Sequence, residues 1–158
     1  MNAALRERLI DLYAEVDAEV SAAGPKCESS GRCCRFKEWG HVLFVSAPEA
    51  EFLLESAPPY EKPVSPDGCP FQDGKLCTAR EPRPLGCRIY FCDPAYPETG
   101  NAITERALAK LKQICSDENV DWRYAPLHVF LNEAARVETR STEKYPDQRI
   151  ALQLAENR

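Results

Sequence analysis

Apolar residues recur near the start of the chain at Leu5, Leu9, Leu12, Val16 and Val20, steps of three and four that lie on one stripe of an α-helix. The pattern predicts a helix over residues 3–20, ended by Gly24-Pro25, because glycine accepts the left-handed conformation of a helix end and proline cannot extend one. The run HVLFV, His41 to Val45, is short, branched and apolar and predicts a buried strand. Ser46 then stands three residues before Glu49, the spacing of a capping box, and opens a helix that carries Leu53 and Leu54 and closes at Pro58-Pro59. Helical spacing returns from about Asn101, with Ile103, Ala107, Leu108, Leu111 and Ile114 on one face. Residues 122–135 and 146–155 suggest further helical or partly helical segments.

Between these helices the periodicity gives way. Most of the thirteen prolines fall between Pro48 and Pro97, so the middle of the chain is irregular and conformationally restricted. Within it, Asp73-Gly74 reads as a two-residue hairpin turn, pairing Gln72 with Lys75, Phe71 with Leu76 and Pro70 with Cys77. Alternation then sets Cys69 and Cys77 on opposite sides, and both reach one centre only if Cys69 lies just outside the paired part, with Pro70 at the strand edge. The fold class implied is a small α-rich α+β domain: an irregular cysteine-rich metal-binding centre with a short hairpin, clasped by N- and C-terminal helices. A single domain over 1–158 is expected, with its metal-binding core at about 27–92 and a helical part at 101–158.

What the middle holds in place of apolar periodicity is sulfur. Seven of the eight cysteines, Cys27, Cys33, Cys34, Cys69, Cys77, Cys87 and Cys92, lie in that core, and only Cys115 stands apart. The opening residues carry Arg6, Glu7, Arg8, Asp11 and Glu15 in place of the apolar core of a secretory signal, so a cytoplasmic location is expected. Thiols there are kept reduced, which favours metal ligation over disulfides. All seven are therefore candidate metal ligands. Cys33 and Cys34 are adjacent, and side chains of neighbouring residues diverge in an extended segment, so both join one site only on a turned backbone. Gly31 and Gly86 mark places where backbone can approach closely.

The spacings are neither the paired CxxC knuckles of common structural zinc sites nor the CxxCxxCxxxC run of bacterial ferredoxins. Seven thiols overfill a four-ligand site, and with only His41 and His128 present a histidine-rich site is disfavoured. The excess of thiols favours an iron-sulfur cluster, [4Fe-4S], with zinc as the alternative. Arg80, Arg83 and Arg88 flank Cys77 and Cys87 and are placed to balance thiolate charge, with Arg88 the foremost candidate to support the cofactor. Phe71, Tyr90 and Phe91 are candidates to shield it from water, while Cys115 reads as a small buried hydrophobe.

The ordered combination GRCC, a strand-like run, an SxxEA helix start, CPFQDGKLC and REPRPLGCRIYFC closely resembles the bacterial YkgJ family, described as zinc- or iron-chelating cysteine-cluster proteins. The resemblance covers roughly Cys27 to Cys92 and implies Cys33, Cys34, Cys69, Cys77 and Cys87 as ligands. Cys27 departs from the pattern, because the family's upstream cysteines often lie closer to the pair. A related segment occurs in flagellin lysine methylases, but this chain carries no glycine-rich nucleotide loop.

Composition narrows the rest. A formal net charge of −5 gives no electrostatic case for nucleic acid, and no apolar run approaches the length of a membrane span. A protein partner is possible, with Trp122, Tyr124 and Pro126 as a candidate patch. The expected function is metal binding in an accessory or redox role; the alternatives are a structural zinc protein serving interaction and a small cysteine- or cluster-dependent oxidoreductase.

Overall fold

The computed structural model describes residues 1–135; the helix expected over 146–155 lies outside them. Two long helices, α1 (Ala3–Ala23) and α5 (Pro97–Asp117), pack along each other. Asn2 caps α1 by accepting from the Leu5 amide at 2.7 Å, and Gly24, at φ 62°, ends it. The pairs Arg8 with Asp117 (2.7 Å), Glu15 with Lys110, and Glu19 with Arg106 run in opposite senses along the two helices, which makes them antiparallel. Between them lie the predicted stripes: Leu5, Leu9, Leu12 and Val16 meet Ile103, Ala107, Leu111 and Ile114. Cys115 is buried in this layer, as expected of a small hydrophobe.

A second apolar cluster sits beside the first. It joins the one-turn helix α2 (Phe36–Trp39), the strand β1 (Phe44–Ser46), the helix α3 (Ala47–Ser56) and the helix α6 (Leu127–Glu133) through Phe36, Val45, Leu53, Phe71, Leu127 and Leu131. Antiparallel to β1 runs β4 (Tyr124–Pro126), with Val45 opposite Ala125. The buried strand expected over His41 to Val45 is shorter and half-covered: Val42 is 56% and Phe44 43% exposed while Val45 is fully buried. Among the described residues, one face of this two-stranded sheet has a core to meet. Residues 122–135 are likewise strand before helix, because Pro126 lacks the amide that a helix interior requires. No helix among the described residues is long and apolar enough to cross a membrane.

The short helix α4 (Leu85–Ile89) bridges the two clusters. Leu85 and Ile89, four residues apart, face α1 and α5, and Cys87, half a turn away, packs against the second cluster. Its start is fixed by Glu49, only 1% exposed. One oxygen of that carboxylate accepts from the backbone amide (2.8 Å) and hydroxyl (2.7 Å) of Ser46, closing the predicted capping box, and the other accepts from the Leu85 amide at 2.7 Å. Burial raises the pKa of Glu49, against the pull of these bonds and the nearby Arg88 charge. In Glu49→Gln the amide nitrogen faces donors. Leaving a buried donor unmatched costs about 1–3 kcal/mol, so this variant should lose that much unfolding free energy in urea titration, while Glu105→Gln on the exposed side of α5 stays within about 0.5 kcal/mol.

Candidate metal centre

Cys33 and Cys34 lie on a 3₁₀ turn, Arg32–Cys34, entered through Gly31 at φ 72°. This is the turned backbone the adjacent pair requires. It brings the two sulfurs to 3.9 Å, with Cys33 exposed and Cys34 buried. The turn is pressed against the hairpin of β2 (Gln72–Asp73) and β3 (Leu76–Cys77): a Cβ on Gly31 would stand 2.5 Å from Gln72 Nε2 and 3.1 Å from Lys75 Cα. Gln72 Nε2 also donates to the Gly31 carbonyl at 3.0 Å. Beside it, the Cys69 amide donates to the Cys34 carbonyl at 2.9 Å, and a Cβ on Gly68 would meet that same oxygen at 3.2 Å.

The hairpin register differs from the expected one. Gln72 pairs with Cys77 and Asp73 with Leu76, so the loop is Gly74-Lys75 and not Asp73-Gly74. Gly74 has φ 58° and Lys75 does not share the positive sign, which is the requirement of a turn with glycine at its first central position. Cys69 does lie outside the ladder, in a turn where its carbonyl accepts from the Gln72 amide at 3.3 Å.

Cys87 arrives from α4, and its electrostatic neighbours are Cys34, Cys77 and Cys33. Five thiols from four chain segments, Cys33, Cys34, Cys69, Cys77 and Cys87, thus influence one another. Hydrogen bonding to Cys34 and then burial push the Cys33 thiol far above the ordinary range. The Cys33 bond lowers Cys34, but the bond to Cys69, burial, and the nearby Cys69 and Cys77 outweigh it and push Cys34 up to about 12. Burial first, then the other thiols, raise Cys87. Among the described residues, however, no three His, Cys, Asp or Glu side chains close to metal-ligand geometry. Hydrogen bonding, burial and mutual repulsion hold Cys33, Cys34 and Cys87 toward the thiol form.

Cys92 sits beside Tyr90, whose hydroxyl pKa is raised by burial, by the Cys92 thiol and by Cys33. Cys27 is exposed on the connection after α1, where the Lys26 amide donates to Asp93 at 2.9 Å. His41 stacks on Tyr90, with ring centroids 5.0 Å apart, and its Nε2 meets the Cys33 carbonyl at 3.2 Å. Arg88 is engaged elsewhere: its guanidinium donates to Asp17 (2.6 Å) and to the carbonyls of Arg83 (2.8 Å) and Glu81 (2.6 Å), and covers the Tyr13 ring. Arg83 is the arginine whose charge reaches Cys33 and Cys87. Its Nε is buried without a partner among the described residues, as is Nε of Arg35, which lines an open groove with Cys34 and Cys69.

The donor set fits a thiophilic metal or cluster. The five clustered candidate donors are all thiols, with the Glu38 and Asp67 carboxylates lining the groove beside Cys34 and Cys69, and two guanidinium Nε donors without a partner among the described residues flank them, the kind of group that hydrogen-bonds a ligating thiolate. Sequence reasoning named Arg83 but ranked Arg88 above it; nothing in the linear order says which arginine turns inward. It missed Arg35 and Gly68, although Pro66-Asp67-Gly68 is a recognisable turn signal. Against family models, curated proteins and solved structures the chain finds no match, so the resemblance to the YkgJ family rests on its motifs alone.

Gly31 and Gly40 both adopt left-handed backbone, at φ 72° and 65°, but only Gly31 has neighbours that a Cβ would strike. Gly40→Ala should lose about 1–2 kcal/mol from conformation alone. Gly31→Ala should exceed it by about 1–3 kcal/mol of overpacking and expose Cys34, read as faster labelling by a thiol reagent.

Proposed function

We propose that this is a thiolate metal-binding protein whose centre is built from Cys33, Cys34, Cys69, Cys77 and Cys87. The observation that carries the reading is the convergence of these five thiols from segments far apart in sequence, with the pKa values of Cys33, Cys34 and Cys87 raised in part by their thiol neighbours. Crowded thiols oppose one another's ionisation; a bound cation reverses that effect, since a coordinating thiol is deprotonated outright. A redox enzyme that relies on a spare nucleophilic thiol is less well supported, because such thiols need a lowered pKa and Cys33, Cys34 and Cys87 are shifted upward.

The proposed resident group is an iron-sulfur cluster, which would supply electron transfer or an assembly function. Five thiols overfill a tetrahedral ion and a four-cysteine cluster alike; what favours the cluster is aromatic shielding, with Phe71 packed among Cys69, Cys77 and Cys87 and Tyr90 beside Cys33 and Cys92. Structural zinc is the second reading, supported by the 3.9 Å between the Cys33 and Cys34 sulfurs: four sulfurs about 2.3 Å from a tetrahedral ion stand about 3.8 Å apart. The YkgJ resemblance is compatible with either. Arg83 and Arg35 would hydrogen-bond ligating sulfurs in both cases.

Protein purified without exposure to air or added metal should be brown and contain iron and acid-labile sulfide. Stoichiometric zinc with neither would reject the cluster and leave the thiolate centre intact; absence of all three would reject both. Serine at Cys34, Cys69, Cys77 or Cys87 should sharply reduce metal per folded protein, whereas Cys115→Ser should retain it.

The two arginines should separate in their effects. Arg83→Ala should weaken metal retention roughly 10–100-fold, as loss of a supporting hydrogen bond does, with little change in unfolding free energy. Arg88→Ala should lower unfolding free energy by about 1.5–3 kcal/mol, the worth of a charged hydrogen-bond donor. Chelator-competition kinetics and urea titration on both variants read the difference.

A further inference from the structure

A cleft of about 380 Å³ opens beside the thiols, between the 41–44 segment, α4 and the start of α5. We infer that it binds a small planar aromatic molecule carrying an N–H or O–H donor on its ring system. Its volume lies within the roughly 300–1,000 Å³ of small-molecule sites, which are mostly apolar with a few orienting polar groups. Two aromatic stacks line it, His41 on Tyr90 at 5.0 Å and 22°, and Phe44 on Tyr124 at 5.6 Å and 29°. Phe44, Tyr90 and Tyr124 are each 40–43% exposed, leaving ring surface uncovered around the opening. Flat walls of this kind select flat partners, because offset stacking adds about 0.5–1.5 kcal/mol per ring pair beyond area burial.

The donor requirement comes from His41. Its Nε2 faces the Cys33 carbonyl oxygen at 3.2 Å; a carbonyl only accepts, so in the neutral ring Nε2 carries the proton and Nδ1 is an acceptor. That Nδ1 is buried with no partner among the described residues. The hydroxyl of Tyr96, a residue only 5% exposed that lines the same cleft, is also buried without a partner among the described residues. Buried polar atoms are almost always hydrogen-bonded, and a ligand in the cleft both residues line can complete them once a small ring movement exposes them to it: a donor to His41 Nδ1, and either role towards Tyr96. Cys33 and Cys87 also line the wall, so the bound ring lies against the thiol group. None of these observations requires a bound metal, and the site stands or falls apart from the proposed centre.

Indole and benzothiophene have nearly the same shape, but only indole carries a ring N–H. In ligand-detected NMR titrations of the full chain, indole should bind saturably and roughly tenfold more tightly than benzothiophene, the worth of one buried hydrogen bond. His41→Phe keeps a ring against Tyr90 and removes the acceptor, so the preference for indole should vanish. Asn101 is exposed at the edge of the cleft, and Asn101→Trp should fill it and abolish binding of both probes without disturbing the core. Absence of saturable binding, equal affinities in the unmodified protein, or binding that survives Asn101→Trp would each overturn the inference; the last variant keeps the test sound should His41→Phe misfold.

Discussion

The buried carboxylate of Glu49 is the tie on which the arrangement depends. It reaches 36 residues along the chain to the first amide of α4 while holding the Ser46 corner between β1 and α3. One acceptor thereby sets the height at which α4 begins, and the 3.6-residue period does the rest: Leu85 and Ile89 turn to the long helices and Cys87 turns to the thiols. From the other side Arg88 fastens the same helix to α1 through Asp17 and the Tyr13 ring. Cys87 is therefore positioned by charge and hydrogen bonding on either side of it, and the thiol neighbourhood inherits its geometry from that frame.

The thiol neighbourhood itself is a balance of opposed terms. Packing draws sulfur inward, as it does for any small hydrophobe, while each ionised neighbour raises the cost of ionising the next. Arg83 relieves part of that cost. The two unpartnered guanidinium nitrogens of Arg35 and Arg83 mark where further negative charge on sulfur is best accommodated, on the hairpin side and the α4 side respectively. The apolar cleft opens on the Cys33 and Cys87 side, away from the groove shared by Cys34 and Cys69.

Local signals carried well from the sequence. The stripe of α1, its glycine stop, the Ser46 to Glu49 box and the face of α5 depend on neighbours within four residues, and the structure bears them out. The need for a turned backbone at Cys33-Cys34 and for close approach at Gly31 was legible for the same reason. The hairpin slipped by one position because Asp-Gly suits a turn with both central residues left-handed, whereas here Gly74 alone takes that conformation. HVLFV was apolar enough for a fully buried strand, but burial depends on what covers each face, and among the described residues Val42 and Phe44 stay largely uncovered. The choice between Arg83 and Arg88 and the existence of the aromatic cleft arise from tertiary packing; no spacing encodes the meeting of His41 with Tyr90 or Phe44 with Tyr124.

The antiparallel pairing of α1 with α5 also bears on synthesis. Arg8 and Asp117 meet across 109 positions, so the leucine stripe of α1, which Phe52, Leu85 and Ile89 cover only in part, lacks its longest partner until α5 has left the ribosome. At about 5–20 residues per second, that interval is roughly 5–20 s. During it the apolar face is open to chaperones and to other nascent chains, and the cysteine-bearing segments emerge before the helix pair can close around them.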